Sequence, residues 1–448
     1  MELKDKRVLV VGLGKSGVAS ALFLKAHGAR VTVSDTKSGD ELRNEIPALL
    51  DHGITVETGG HGERTFRGQD LIVVSPGVPV DAPLLEQARS LGEPVIGEIE
   101  LAARFLPGPI VAITGSNGKT TTTTLAGEIL AAGGLPTLVG GNIGTPAISL
   151  AEHAKPESVI VLEVSSFQLE TIQTFRPKVA VVLNVTQDHL DRHRTFEAYV
   201  DAKARIFENQ QGDDFAVLNE DDATCVTMAA PTRAQVFWFS RLKEVKQGAW
   251  VREGKILFRD GGQQRDIMLV SEIPLKGAHN LENVLAAACA GALMGCAPEK
   301  IRQAVRDFKA VEHRLEFVAT IRGVDYYNDS KATNVDATIK ALESFPADIH
   351  LILGGKDKGS DYSVLNDLLR QRVKRVYTIG AAAAKIESQI KGVELLHAET
   401  LENAVRKANA VAEAGDVVLL APACASFDQF KNYEQRGRVF KEIVRGLS

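Results

Sequence analysis

The stretch that decides the fold is Thr114-Gly115-Ser116-Asn117-Gly118-Lys119-Thr120. Before it, Ile110–Thr114 is a short apolar run rich in branched side chains. After it, from Lys119, the chain is helix-forming, so the seven residues fall where a buried strand turns into a helix. Small residues at such a junction let successive backbone N–H groups surround a triphosphate. Lys119 offsets its charge, and the Thr120 hydroxyl can ligate magnesium. The segment departs from the usual G-x4-GK[ST] pattern in having Ile113 where a glycine would stand.

Outward from this loop, apolar runs alternate with helical stretches. Arg7–Val11, Arg30–Ser34 and Leu71–Val74 read as one set of buried strands. Ile110–Thr114, Ser158–Val164 and Lys178–Val185 form a second, and His350–Leu353, Arg375–Ile379 and Asp416–Leu420 a third. Continuous apolar strands separated by helices imply parallel sheets covered on both faces. The fold class expected is α/β in three domains with mainly parallel sheets: Rossmann-like 1–97, P-loop ATPase-like 98–310 and Rossmann-like 311–448. The length of 448 residues agrees, at roughly 150 residues per domain.

Composition narrows the function. Hydrophobic residues at 44% and charged residues at 24% exclude a collagenous or mainly disordered chain. A net charge of −5 gives no general attraction to nucleic acid or anionic membrane, so neither is expected as a partner. Cys225, Cys289, Cys296 and Cys424 make no CxxC pair and no zinc spacing, as expected of reduced thiols in a cytoplasmic protein. The longest low-charge apolar stretch, 284–297, is too short for a bilayer core of about 30 Å, and the charged start of the chain fits no signal peptide.

Residues just past the carboxyl ends of parallel strands share one edge of the sheet. Gly12-Leu13-Gly14-Lys15-Ser16-Gly17 follows the first strand and Asp35 closes the second, the arrangement of a nucleotide turn with a ribose-binding acid. Ser75-Pro76-Gly77 follows the next strand of that set. Around the phosphate loop, Glu163 is placed to ligate magnesium, and His189 follows the neighbouring strand. His189 and His193 stand four apart, but HExxH would need glutamate where Leu190 stands, so zinc-protease chemistry is set aside. In the expected helix 195–209, Phe196, Val200 and Phe207 form an apolar stripe with Lys203 in its middle, at about 100° per residue. Two accounts of Lys203 stand side by side: a snorkelling stem with its head in water, or an ammonium held for chemistry in a place that disfavours charge.

These residues resemble the Mur ligase family, ATP-dependent amide-forming enzymes of peptidoglycan synthesis. TGSNGKT, LEVSSFQLE (162–170), NVTQDHLDRH (184–193) and AKARIF (202–207) are similar to the family's central domain. GAHNLEN (277–283), EHR (312–314) and NDSKATN (328–334) extend the likeness towards the carboxyl terminus. Within the family, GLGKSG, LGGKDKG (353–359) and PACASFDQFKNYEQRG (422–437) resemble members that add D-glutamate; nothing resembles the DNPR motif of those adding a diamino acid.

The resemblance implies a monomeric cytoplasmic ligase acting on UDP-N-acetylmuramoyl-L-alanine, D-glutamate and ATP, with two Mg2+ ions. It implies a carbon dioxide-derived carbamate on Lys203, which helps His189 hold the second ion, with Thr120 and Glu163 at the first. For ATP it implies Gly115, Ser116, Asn117, Gly118, Lys119, Thr120, Thr121, Asn280, Asn283, Arg314, Asp329 and Lys331. For the UDP-sugar it implies Gly14, Lys15, Ser16, Asp35, Thr36, Ser75, Pro76, Gly77 and Asn142, and for D-glutamate Thr333, Lys358, Ser426 and Tyr433. Lys119, His189 and Lys203 are the expected catalytic residues. Three other readings compete: a relative with a different acceptor amino acid, a nicotinamide oxidoreductase carried by GLGKSG, and a nucleotide-gated binding protein. Lys356 and Lys358 also read as plain solvated loop charges.

Overall fold

The computed structural model describes residues 1–275, 277–309 and 311–447; the expected domain limits 310 and 448 lie outside them. It holds three sheets. The first has five parallel strands in the order Thr55–Glu57, Arg30–Ser34, Arg7–Val11, Leu71–Val74, Val95–Gly97. Their apolar residues are buried because helices cover both faces, which is why these strands read as unbroken hydrophobic runs.

The second sheet has nine strands. From the edge they run Thr137–Gly141, Val159–Glu163, Ile110–Thr114, Val179–Val182, Phe215–Asn219, Gln235–Ser240 and Gly248–Arg252, all parallel. Two antiparallel strands, Lys255–Asp260 and Gln263–Leu269, complete it. The phosphate-loop strand lies inside this sheet with every residue buried, so the loop leaves from a rigid base. The third sheet runs Glu316–Ile321, Val324–Asn328, Val417–Leu420, Ile349–Gly354, Val373–Ile379, Glu394–Glu399. It is parallel except for the first pair.

The α/β class with mainly parallel sheets therefore holds. The antiparallel additions were not foreseen: strands such as Gln263–Leu269 carry charged, half-exposed sequence instead of apolar runs.

By contact, the chain forms two compact units. One is Met1–Glu272 with Glu282–Asp307 and contains the first two sheets; the other is Ile273–Leu281 with Phe308–Ser448 and contains the third. The helix Ala278–Leu293 thus begins in one unit and continues in the other. Among the described residues, no helix is long and apolar enough to cross a membrane.

Candidate active site

The phosphate loop is held by the chain's own groups. Gly118 takes φ 85°, which glycine adopts without strain, and the helix Lys119–Ala132 starts directly after it. Asn184, just past the adjacent strand, clasps the loop: Asn117 N donates to its Oδ1 (2.8 Å), its Nδ2 donates to Asn117 O (3.1 Å), and Ser116 N donates to its carbonyl (2.9 Å). The Ser116 hydroxyl donates to Thr186 O (3.0 Å) and lies 3.0 Å from the Tyr199 hydroxyl. Lys119 Nζ curls back onto Gly115 O (2.8 Å) and Ser116 O (2.9 Å).

Glu163 is nearly fully buried and pairs in register with Ile113 on one side and Gly141 on the other. Its Oε2 accepts from Thr120 Oγ1 (2.8 Å) and its Oε1 from Asn142 Nδ2 (2.9 Å). A carboxylate and a hydroxyl are hard oxygen donors of the kind magnesium prefers, so Thr120 and Glu163 fit that ion. Among the described residues no three His, Cys, Asp or Glu side chains come together as a metal cage. Nucleotide phosphates and water would have to complete the shell, the usual situation for magnesium. Asn142, grouped by sequence with the UDP-sugar residues, is therefore found on Glu163, beside the phosphate loop.

Lys203 lies on the helix Phe196–Ala204, capped by the Thr195 hydroxyl. The helix stops earlier than the expected 209 and tightens into a 3₁₀ turn, Arg205–Phe207. There Arg205 reaches across to the carbonyls of Glu170 (2.6 Å) and Ile172 (2.8 Å). Lys203 is 1% exposed, so the snorkelling account fails. Its Nζ donates to Gly115 O (2.8 Å), the same carbonyl that Lys119 uses, and sits 4.6 Å over the Tyr199 ring. Burial first, and the Lys119 charge second, hold its pKa well below the usual lysine value.

His189 opens the short turn Leu190–His193 in a left-handed conformation, φ 54°. It is 3.6 Å from Asp188 Oδ2 and packs edge-on against Phe167. His193 is buried, with Nε2 2.9 Å from Ser166 Oγ and Nδ1 3.3 Å from Glu170 Oε1. Both rings also pack against Phe167 and Tyr199. The same turn is tied to the first sheet: Arg192 Nη2 donates to Val78 O (2.9 Å) and Arg194 pairs with Asp81 (2.7 Å).

At the first sheet's carboxyl edge, the register Val11↔Val74 sets the glycine turn beside the Ser75 loop. Ser75 Oγ donates to Gly12 O (2.7 Å), and a Cβ on Gly17 would stand 1.9 Å from that oxygen. Asp35 accepts from Leu13 N (2.6 Å) and Lys37 N (2.8 Å), so its carboxylate braces the turn. Gly14, Lys15, Thr36 and Gly77 are exposed, Ser16 and Pro76 half-buried.

Asn283 lies under the phosphate loop, accepting from Thr122 Oγ1 (3.2 Å) and filling the space where a Gly118 Cβ would go. Thr121 is buried on the first turn of the same helix. Asn280 is buried in the segment that clusters with the other unit.

That other unit gathers its expected residues past the strands Val324–Asn328, Ile349–Gly354 and Val417–Leu420. Asp329 is buried, 3.6 Å from Arg314; burial raises its pKa, against the lowering pull of Arg314. Lys331 Nζ lies 5.6 Å from the Tyr433 ring. Ser426 is buried, Thr333 half-buried and Lys358 exposed.

Three residues escaped the sequence reading: Asn184, which clasps the phosphate loop, Arg436 and Tyr199. Arg436, wholly buried, donates to Ser330 O (2.8 Å), Ser330 Oγ (3.0 Å) and Cys424 O (3.2 Å), tying together the loops that carry Asp329 and Ser426. Tyr199 sits beneath both Ser116 and Lys203. Its spacing of four from Lys203 in a helix was the available signal.

A strand, a Gly-Lys-Thr loop opening a helix and a carboxylate on the neighbouring strand define a phosphate-loop nucleotide-binding protein, here with two further mainly parallel sheets. Residues 6–97 match the family model "Mur ligase MurD-like, N-terminal domain", residues 113–291 "Mur ligase middle domain" and residues 313–424 "Mur ligase, glutamate ligase domain". The chain belongs to the Mur ligase family.

It is 69% identical to the UDP-N-acetylmuramoylalanine–D-glutamate ligase of Koribacter versatilis, covering 100% of this chain and 99% of that one. Identity to the protein of the same name from Acidobacterium capsulatum is 62%, over 99% and 97%. In fold it is similar to a MurF ligase from Thermotoga maritima solved with ADP, at TM-score 0.63 and 18% identity, covering 100% and 99% of the two chains.

Proposed function

We propose that this chain is the ATP-dependent ligase that joins D-glutamate to UDP-N-acetylmuramoyl-L-alanine in peptidoglycan precursor synthesis. The observation that carries the reading is the convergence of Lys119, Lys203, Thr120 and Glu163 on one phosphate loop, in a chain alike from end to end to ligases of that name. The alanine carboxylate attacks the γ-phosphorus, ADP leaves, and an acyl phosphate results. The D-glutamate amine, having lost a proton, attacks the carbonyl carbon, and phosphate is expelled.

Lys119 is within a side-chain swing of its own loop, where it would meet the transferring phosphoryl group and offset its charge. Thr120 and Glu163 would hold magnesium, which when bound neutralises charge on the phosphates. Lys203, dry and disfavoured as a cation, offers a neutral amine to carbon dioxide; the carbamate, formed with release of one amine proton, would supply oxygen donors that with His189 would hold a second magnesium ion. Thr333, Lys358, Ser426 and Tyr433 would receive D-glutamate, and the glycine turn with the Ser75 loop the UDP-sugar. The buried thiols suit the cytoplasm, and we take the working form as a monomer.

ADP release measured with UDP-N-acetylmuramoyl-L-alanine and each amino acid in turn tests the reading: D-glutamate should be needed, and L-alanine or a diamino acid should not replace it. Substrate carboxylate oxygen should appear in the released phosphate; its absence would refute the acyl-phosphate route. Intact mass in bicarbonate should show one added carbon dioxide, and Lys203→Ala should lack it.

A further inference from the structure

The loops carrying Lys358 and Ser426 leave adjacent parallel strands, Ile349–Gly354 and Val417–Leu420. They are zipped where Lys356 N donates to Ala425 O (2.8 Å) and Ala425 N to Lys356 O (3.1 Å). One residue along from that zipper, Asp357 turns inward while Lys356 and Lys358 on either side stay exposed. Asp357 Oδ1 accepts from the Tyr362 hydroxyl (2.8 Å) and Oδ2 from Lys385 Nζ (2.7 Å). On the opposite loop, one residue back from the zipper, Cys424 Sγ lies 3.0 Å from the same hydroxyl.

Tyr362 is fully buried. Packing alone does not call for its oxygen, because phenylalanine would fill the site without a hydroxyl to desolvate. A phenol can donate once and still accept. Here its proton goes to Asp357, leaving its oxygen to accept from the thiol. Burial pushes the Cys424 thiol up to about 11, so it remains a donor. Burial works against the Asp357 charge, but the hydrogen bonds from Lys385 and Tyr362 outweigh it and hold the carboxyl below its ordinary value. The brace is thus an ionised acid, a phenol and a thiol in series, spanning the two loops.

We infer that Asp357 and Tyr362 are positioning residues for the incoming amino acid: with Cys424 they fix the spacing of Lys358 and Ser426, and through it the enzyme's fit to an acidic acceptor. The inference rests on the proposed placing of D-glutamate at those two residues. It makes the pocket's precision depend on side chains that never touch the substrate.

Steady-state kinetics of the full chain, varying each of the three substrates, give the test. Tyr362→Phe and Asp357→Asn should each raise the KM for D-glutamate about tenfold, as expected for losing one charge-assisted hydrogen bond. The KM values for ATP and the UDP-sugar should stay within about twofold, less than any such bond is worth. The double variant should be no worse than the poorer single one, since both changes break the same chain. Equal rises in all three KM values, or an unchanged D-glutamate KM beside a lowered melting temperature, would overturn the inference.

Hydrogen exchange separates this from the substrate reading. Tyr362→Phe should deprotect amides at 356–358 and 423–426 together, and deprotection of one loop or neither would sink the brace. A wild-type chain that releases no ADP with D-glutamate would defeat the substrate reading alone.

Discussion

At Gly118 a side chain has nowhere to go. The backbone stands at φ 85°, and a Cβ would lie 2.2 Å from Asn283 Oδ1, itself held under the loop by Thr122. Alanine there faces a left-handed penalty of about 1–2 kcal/mol together with displacement of a buried amide. Gly118→Ala should therefore weaken ATP binding by at least about tenfold, the equivalent of some 1.4 kcal/mol, as read by titration calorimetry. Gly14→Ala is the control: φ is −70° and nothing lies within 4 Å of its Cβ, so ATP affinity should not change. Equal affinity in the two variants would sink this account of the loop. The glycines and Lys119 were legible in the sequence because their spacing is local. Asn184, which clasps the loop from 67 residues away, was not, because long-range side-chain pairing leaves no periodic trace. Lys203 falls between: its place in the apolar stripe told that it was unusual, but only its 1% exposure and its bond to Gly115 O decide between the two accounts.

Among the elements, the helix Glu98–Ala103 shows how neighbouring groups of one kind diverge. Glu98 and Glu100 are both buried, and both bond to backbone in the second-sheet region. Glu98 Oε1 accepts from Ile148 N (2.8 Å), whereas Glu100 accepts from the amides of Gln173, Thr174 and Phe175, from the Thr174 hydroxyl and from Arg104. For Glu98, burial dominates and raises the pKa to about 7. For Glu100, burial is outweighed by those donors and the pKa falls. A raised folded-state pKa makes Glu98 stabilise below the unfolded value of about 4.5, with that contribution lost as pH climbs to about 7, at most about 3 kcal/mol. Glu98→Gln should flatten this decline in denaturant melts between pH 4.5 and 7. An unchanged slope would refute the assignment. Glu100 acts with the opposite sign: its contribution is present above its unfolded pKa and disappears as pH falls below it. Glu100→Ala, stranding several buried N–H groups, should cost about 2–4 kcal/mol at neutral pH. In the sequence this stretch stood out only as the expected domain limit at 97/98, because what distinguishes the two acids is their partners' location and not their own neighbours.

For the whole molecule, hydrophobic runs sufficed to read the parallel layers, since strands buried on both faces advertise themselves. They could not announce that contacts would gather into two units, the first holding two sheets, nor that Ile273–Leu281 would join the second. Arg192 and Arg194 give one physical reason for the larger unit: they reach across the expected limit at 97/98, to Val78 O and to the Asp81 carboxylate. Two contact networks of this kind should unfold as separate cooperative blocks in scanning calorimetry. The phosphate loop belongs to the first, so ATP with magnesium at a hundredfold excess over Kd should stabilise that block by about 2.7 kcal/mol, and Lys119→Ala should remove most of the shift. Tyr362 belongs to the second, so Tyr362→Phe should lower the other transition and leave the ATP-responsive one in place. If that single hydroxyl deletion lowered both transitions equally, the two networks would be one folding unit.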